Sequence, residues 1–262
     1  MKIVADTHTH IYPCYDVTVA FEILIHNLEQ YSDSAVKMAF LAERNDCHFF
    51  SELGKDKGQI FQNGFGVSGA NPNDVIILTK EEKPCLYLFP GRQIVTAERI
   101  EILSLISNLE IMDGLPADTV IRQIIDNGGV PVISWAPGKW LFERRKVVEK
   151  IMNNWTPRQI LIGDTSLRPT IWKKPLLMQS AEKAGFKILA GSDPLPFPDE
   201  ELQLGLYGSS VYGDINLDKP AGSMRSILTD PEVEIKHVGK RNTLLTMLRR
   251  LFKNAKNKKR FD

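Results

Sequence analysis

The sequence predicts an α/β fold built on a parallel sheet, and three observations support this. Short apolar runs of strand length recur along the chain, stretches with helical spacing of apolar residues separate most of them, and the composition is that of a globular protein. About seven strands separated mostly by helices favour a parallel sheet over a sandwich. The 262 residues, 43% hydrophobic and 25% charged, fit one domain with a tail and exclude collagen-like and disordered classes.

The first half of the chain opens with a strand followed by a helix. Residues 3–5 form a short apolar run, and residues 17–31 carry apolar side chains at helical spacing. The Gly- and Asn-rich segment 58–83 predicts a loop with an edge strand at 75–78. The other strands predicted in this half are residues 36–41, 85–89 and 101–106.

Strands and helices alternate more regularly in the second half. A helix at 117–126 ends before Gly128 and Gly129, and the strand at 130–135 carries its proline near its start, where the missing N–H does least harm. The prolines after Asp193 exclude a regular helix in the next segment. The other elements predicted here are helices at 145–153, 175–184 and 242–255 and strands at 159–163 and 187–190.

Charge is distributed unevenly along the chain. Residues 236–262 contain ten Lys or Arg and one acidic residue, whereas the rest contains 23 basic and 31 acidic residues. The last predicted helix has an apolar face, so we expect it to dock on the acidic body with a solvated Lys-rich end. Clustered cations also attract nucleic-acid phosphates, and that alternative stays open, but few aromatic residues accompany them here and nucleic acid is an unlikely partner.

The cysteine content and the hydropathy of the chain indicate the cellular compartment of the protein. Cys14, Cys47 and Cys85 are odd in number, and their spacing matches neither a disulfide framework nor a zinc ribbon, so we expect free thiols in a reducing environment. Asp6 interrupts the region where a signal peptide needs an apolar core, and no apolar stretch approaches the about 18 residues of a membrane span. The sequence therefore predicts a cytoplasmic protein without a membrane span.

Two histidines directly follow the first predicted strand. In an extended chain His8 and His10 point to the same side, with a separation suited to one metal ion. Asp193 follows the strand at 187–190, so it is expected at the same end of a parallel sheet, as a ligand or general base. A surface histidine pair and a turn aspartate are the alternative explanation for the same residues.

Other polar side chains also follow predicted strands and are expected on the same rim. Asp164 ends the strand at 159–163 and is a further candidate ligand. Arg92 and Arg168 could orient an anionic group of a substrate. Equally, Arg44 and Arg92 could neutralise nearby carboxylates. The remaining candidates for substrate contact are Arg44, Lys139 and Trp135.

The segments that follow the first and the last predicted strands resemble those of a known family. Residues 6–10 (Asp-Thr-His-Thr-His) and 189–193 (Leu-Ala-Gly-Ser-Asp) resemble the two ends of the metal-dependent hydrolase barrels of the amidohydrolase superfamily, and more closely the polymerase and histidinol phosphatase (PHP) group. Residues 89–94 and 128–138 resemble PHP framework segments. The resemblance covers residues 1 to about 195 and implies a distorted TIM-like (β/α)7 barrel with metal-dependent hydrolase activity.

The chain departs from the PHP pattern at several positions where the family carries metal ligands. We therefore expect at most one well-bound divalent ion, with Zn²⁺, Mn²⁺ and Fe²⁺ as candidates. Its expected ligands are His8, His10 and Asp193, with Asp164 as a further candidate. The departures are Gln93 in place of a carboxylate, Trp135 in place of a histidine, Glu43–Arg44 in place of Asp–His, and Leu195 in place of a histidine.

These features together predict one barrel domain over residues 1–235 and a basic C-terminal helix and tail over residues 236–262. The expected reaction is hydrolysis of a small ester, amide or phosphoester, with Asp193 activating water and Arg92 or Arg168 orienting an anionic group. The expected partner is a small-molecule substrate. A catalytically degenerate barrel that acts as a binding or scaffolding protein is the alternative, because each missing metal removes stabilisation of transition-state charge.

Overall fold

The computed structural model describes residues 1–55, 64–71 and 74–258, except for the side chains of 69–71 and 258, so residues 58–63 and 72–73 of the predicted loop lie outside the described residues. Its elements confirm a mixed α/β fold. The strands are β1 Lys2–Thr9, β2 Val36–Leu41, β3 Phe65–Asn71, β4 Val75–Lys80, β5 Lys83–Phe89, β6 Gly91–Val95, β7 Glu101–Leu105, β8 Val130–Ser134, β9 Leu161–Thr165, β10 Ile188–Gly191, β11 Tyr207–Tyr212 and β12 Ile235–Gly239. The helices are α1 Val17–Glu29, α2 Phe49–Leu53, α3 Ala117–Asp126, α4 Glu143–Asn154, α5 Leu176–Lys183, α6 Pro220–Thr229 and α7 Leu244–Lys258, and a 3₁₀ helix covers Glu200–Gln203.

The strands form two sheets. Their orders are β12-β11-β1-β2-β5-β4-β3 and β10-β9-β8-β7-β6. The pairs β1–β2, β2–β5, β8–β9 and β9–β10 are parallel, and the other pairs are antiparallel. The predicted parallel sheet is therefore correct for the central strands and wrong for the outer ones.

Short connections explain the antiparallel pairs. Glu81 and Glu82, both with positive φ, alone join β4 to β5. So short a turn joins only antiparallel strands, because a parallel pair needs a crossover of about a dozen residues or more. Residues 96–100 join β6 to β7 in the same way, so β7 runs against its neighbours. The amino end of β7, at Glu101, therefore lies beside Ser134 at the carboxyl end of β8.

The two sheets meet where β5 continues into β6 after a single residue. The Glu43 N–H donates to the Gly91 carbonyl at 3.0 Å, and the Gln93 N–H donates to the Glu43 carbonyl at 2.8 Å. A Cβ at Gly91 would lie 2.1 Å from the Leu41 carbonyl oxygen, so this close approach requires glycine. The end of β2 thus lies against the start of β6.

The sheets also meet where β1 lies beside β10. The Thr7 hydroxyl donates to the Ala190 carbonyl at 2.9 Å, and the Asp193 N–H donates to the His8 carbonyl at 3.0 Å. A Cβ at Gly191 would come within 2.4 Å of His8 atoms. These contacts hold the ends of the first and last central strands together.

The hydrophobic core lies between the sheets and on their outer faces. Between the sheets, Phe40 and Phe89 stack with ring centroids 4.8 Å apart. Helix α1 covers the outer face of the first sheet with Phe21 and Leu24, and helices α3 to α5 cover that of the second. Burying each such side chain contributes about 1.5–3 kcal/mol, which makes these faces a rigid support for the strand ends.

The C-terminal segment packs on the rest of the chain. Strand β12 pairs with β11, so the predicted boundary between residues 235 and 236 falls inside a strand. Helix α7 places Met247 against Leu167, Leu195 and Phe197, in keeping with the expected docking of a terminal helix. Within residues 1–55, 64–71 and 74–258, no helix has both the length and the hydropathy needed to cross a bilayer.

Candidate metal centre

Three predicted ligands converge at the end of β1. The Nε2 atoms of His8 and His10 lie 3.1 Å apart, and they lie 3.6 and 3.8 Å from the Asp193 Oδ1. Each offers one ligand atom, and all three atoms lie within 4.8 Å of one another. Among the described residues, this is the group of His, Cys, Asp and Glu side chains arranged to hold a metal ion.

The spacing of these atoms fits the donor geometry of a divalent transition metal. Ligand atoms about 2.1 Å from one tetrahedral ion lie about 3.4 Å from each other. The three observed separations, from 3.1 to 3.8 Å, bracket that distance. Two imidazole nitrogens and one carboxylate oxygen also form a donor set suited to Zn²⁺, Mn²⁺ or Fe²⁺.

Burial keeps the ligand side chains in a low-dielectric environment. It lowers the pKa of His10 well below its ordinary value, and the neighbouring His8 and Arg44 lower that pKa further. A neutral imidazole has a free lone pair for a metal. Burial also raises the pKa of Asp193, with Glu101 adding to the rise, whereas His8 and Arg250 oppose it.

Asp193 is held by its backbone as well as by its neighbours. Its φ of 50° lies in the left-handed region, which Asp adopts more readily than most residues. Asp6 accepts hydrogen bonds from the Ser192 N–H at 2.9 Å and the Ser192 hydroxyl at 2.5 Å. Asp6 therefore ties the end of β1 to the residue preceding Asp193, a structural role that the motif at residues 6–10 did not reveal.

Helix α7 also contributes to the centre. The Arg250 guanidinium donates to the Asp193 carbonyl at 3.1 Å and to Glu200 Oε2 at 2.6 Å, and Arg250 is only 4% exposed. The sequence indicated docking of this helix but no contact with the ligand residues, because α7 follows Asp193 by some fifty residues.

Gln93 and Arg92 lie on opposite sides of β6. The Gln93 Oε1 lies 3.2 Å from the His8 Nε2, so its amide oxygen adjoins the three ligand atoms. Arg92 instead binds the Cys47 carbonyl at 2.6 Å and the carboxylate of Glu110 at 3.2 Å. The structure therefore does not bring Arg92 to the metal group, because adjacent strand residues face opposite sides.

Asp164 and Arg168 form a separate buried pair. Arg168 Nε donates to Asp164 Oδ1 at 2.8 Å and its Nη2 donates to Oδ2 at 2.5 Å. The Tyr207 hydroxyl donates to the same carboxylate at 2.8 Å. With both oxygens engaged, Asp164 does not join the metal ligands, and Arg168 is not directed at a substrate. Arg168 thus neutralises Asp164, a role predicted from the sequence for Arg44 and Arg92.

A cleft of about 510 Å³ adjoins the ligand group and is lined by two of its members, His10 and Asp193. It contains the predicted substrate contacts Arg44 and Lys139, the latter paired with Glu101 at 2.8 Å. Trp135 is buried and packs edge-on against Trp172 at 6.5 Å, and it does not itself line the cleft, although the next residue, Ala136, does. Glu101 was not predicted, because only the antiparallel direction of β7 brings its first residue to this rim.

Comparisons with known proteins identify the fold. No protein-family model and no curated protein matches the chain. Among solved structures it is similar to PsfC from Pseudomonas syringae PB-5123, with a TM-score of 0.55 and 14% identity over 100% of this chain and 99% of that one. The fold is PHP-like. This confirms the PHP-like fold that the motifs at residues 6–10 and 189–193 imply.

A second similar structure is the lesion-specific endonuclease PfuEndoQ from Pyrococcus furiosus. Its TM-score is 0.53 at 12% identity, and the match covers 91% of this chain and 59% of the endonuclease. The prediction that nucleic acid is an unlikely partner is therefore wrong, because this architecture also serves a nuclease. Composition and the basic tail were too weak an argument to exclude that class of partner.

Proposed function

We propose that the protein is a metal-dependent hydrolase that cleaves an ester, amide or phosphoester bond in the cleft above His8, His10 and Asp193. The observation that carries the proposal is the convergence of two imidazoles and one carboxylate from positions 185 residues apart. One divalent ion, Zn²⁺, Mn²⁺ or Fe²⁺, is the proposed cofactor. When bound, such an ion lowers the pKa of its water ligand to about 7.

The side chains around the ligands have distinct proposed roles. The Nε2 atoms of His8 and His10 supply the nitrogen ligands, and the Gln93 Oε1, which lies 3.2 Å from the same His8 Nε2, offers a neutral oxygen beside them. Asp193, whose side chain is 13% exposed, presents its carboxylate to the cleft as a ligand and proton acceptor.

Cations in the same cleft are suited to an anionic part of the substrate. The Arg44 and Lys139 side chains are 43% and 31% exposed and line the cleft. Arg92, Arg168 and Trp135 have no part in this mechanism, since their partners lie elsewhere.

We also infer that the two sheets act as one distorted seven-stranded ring. The strands β1, β2, β5 with β6, β7, β8, β9 and β10 follow one another around the core. The contacts at Gly91 and at Gly191 support closure on both sides. Such a ring explains why β1 and β10, the first and last central strands, supply the ligands together.

Metal analysis of protein purified without chelator tests the proposed centre. We expect about one equivalent of metal per chain for the wild type, on the ligand count above, and background levels for His8→Ala/His10→Ala. His26→Ala, which removes an exposed histidine of α1, is the matched control and should keep the metal. A wild-type protein that takes up no metal, or a double variant that keeps it, would contradict the proposal.

Activity is then measured on the metal-loaded protein. The panel contains 4-nitrophenyl acetate, 4-nitrophenyl phosphate, bis(4-nitrophenyl) phosphate and duplex DNA with an abasic site. We expect hydrolysis of at least one of them, which chelator abolishes and added metal restores. The DNA substrate is included because a nuclease shares this fold.

A catalytically degenerate binding or scaffolding protein is the second candidate. It is favoured by the buried Arg168–Asp164 pair and by the Arg92 contacts with Glu43 and Glu110, which neutralise acidic side chains near the rim without metal. This candidate predicts no bound metal and no turnover, so the same metal analysis separates the two.

A further inference from the structure

A second cavity adjoins the cleft. Its volume is about 330 Å³, and it lies between the segment that follows β1 and the segment that includes α2. Tyr12 and Asp46 line both the cavity and the cleft, so the two spaces are neighbours. The other residues that line the cavity are Ile11, Pro13, Tyr15, Val17, Cys47, His48, Phe49, Glu52 and Leu53.

Aromatic rings connect this cavity to the metal ligands. The Tyr12 ring stacks on the His10 ring, with centroids 5.1 Å apart and planes 16° apart. Tyr15 packs edge-on against Tyr12 with centroids 5.5 Å apart. One ring, that of Tyr12, therefore lies between a proposed metal ligand and the cavity.

The cavity and the cleft differ in charge. The cleft contains Arg44 and Lys139 together with four acidic residues, whereas none of the described residues that line the cavity is Lys or Arg. Burial raises the pKa of the Cys47 thiol to about 11, so this thiol is uncharged at neutral pH. The two acidic residues of the cavity, Asp46 and Glu52, are both exposed at its rim. The cavity therefore offers no cation to an anionic group and suits an uncharged one.

We propose that this cavity is a subsite for an uncharged aromatic ring of the substrate, whose scissile bond lies in the cleft. The inference rests on the proposed function, since it places the ring relative to the metal ligands. The volume of the cavity lies within the range of about 300–1,000 Å³ that is typical of small-molecule sites. Faces and edges of Tyr12, Tyr15 and Phe49 provide the offset and edge-on contacts that aromatic rings prefer.

A series of hydroxamates tests the subsite, because hydroxamates chelate metal ions. Acetohydroxamate carries no ring, whereas phenylacetohydroxamate and 3-phenylpropanohydroxamate carry one at two distances from the chelating group. We expect at least one phenyl ligand to bind metal-loaded protein about tenfold tighter than acetohydroxamate, the gain expected from burying part of a ring. Titration calorimetry gives the three dissociation constants.

Two variants locate the gain in affinity. Phe49→Ala removes a ring from the wall, and Val17→Phe fills the space from the first turn of α1. Both should abolish the advantage of the phenyl ligands and leave acetohydroxamate binding unchanged. Phe142→Ala, at a phenylalanine that is 86% exposed, is the matched control and should keep the advantage. Thermal unfolding confirms that each variant is folded.

Failure of the subsite and failure of the metal centre give different results. If acetohydroxamate binds but the ring adds nothing, or if the gain survives in both variants, the subsite is wrong and the metal centre stands. If no hydroxamate binds, the bound ion has no open position in the cleft and the proposed function is wrong, and saturation-transfer NMR with indole and metal-free protein decides the subsite separately. Indole binding that is absent, or equal in wild type and Val17→Phe, overturns the subsite as well.

Discussion

Two carboxylates near the ends of neighbouring strands have opposite environments. Asp164 ends β9 with both oxygens bound by Arg168. Asp193, just beyond β10, lies 3.6 and 3.8 Å from two imidazoles and forms no ion pair with a Lys or Arg of the described residues. The sequence gives the two acids the same signal, a carboxylate that follows an apolar run. The comparison shows that the role of each carboxylate depends on the side chain that the fold places next to it. An arginine makes Asp164 part of a structural ion pair, and two imidazoles make Asp193 a candidate ligand.

The largest expected effect comes from removing the carboxylate of Asp193. Asp193→Asn should lower kcat/KM of the metal-loaded protein by about 100- to 10,000-fold, the range for loss of a proton acceptor, and weaken metal binding, while stability changes little. Kinetics and metal titration measure both effects. Asp199→Asn, at an exposed aspartate, is the control. Equal activity of Asp193→Asn and wild type would contradict the role of this carboxylate.

The second prediction concerns the paired carboxylate. Arg168→Met leaves Asp164 buried with an uncompensated charge and should reduce the free energy of unfolding by about 3–5 kcal/mol. Adding Asp164→Leu should restore part of that loss, because both members of the pair are then apolar. Denaturant unfolding measures the stability. If Arg168→Met instead loses its metal at unchanged stability, the pair belongs to the metal site.

The third prediction concerns the amide next to His8. Gln93→Ala removes an amide oxygen that lies 3.2 Å from the ligand nitrogen of His8 and should weaken metal binding by about 10- to 100-fold, the range for residues that adjoin metal ligands. Gln93→Glu should strengthen it, because it adds an anionic oxygen close to the ligands. Competition with a metal indicator measures both, with the exposed Gln30→Ala as control. Weaker binding by Gln93→Glu than by Gln93→Ala would refute this role.

The smallest expected effect on metal affinity comes from the hydrogen bonds between Ser192 and Asp6. Ser192→Ala removes the hydroxyl that donates to Asp6 at 2.5 Å, at a cost of about 1.5–3 kcal/mol for a bond to a charged group. The Ser192 N–H still donates to Asp6, so metal affinity should remain near that of wild type. Thermal unfolding and metal titration measure the two, with the exposed Ser180→Ala as control. A loss of metal without a loss of stability would show that this hydroxyl positions Asp193.

Local patterns predicted the elements that have strong periodicity. The helix predicted at 117–126 matches α3, and the strand predicted at 36–41 matches β2. The sequence missed β11 and α6, which lie in the Gly-, Tyr- and Pro-containing region after Asp193. There the side-chain period is weak, and pairing with β1 and packing on the core decide the structure.

The sequence by itself determined where the apolar runs lie and which strand ends carry histidine and aspartate, because burial on one face imposes a period of 2.0 or 3.6 residues. The sequence therefore predicted His8, His10 and Asp193 as candidate metal ligands. Only the tertiary structure decided that Arg168 neutralises Asp164, that Glu101 reaches the cleft, and that Arg250 binds the Asp193 carbonyl. Those outcomes depend on strand direction and on contacts between distant segments, and no local pattern encodes which charges the folded chain brings together.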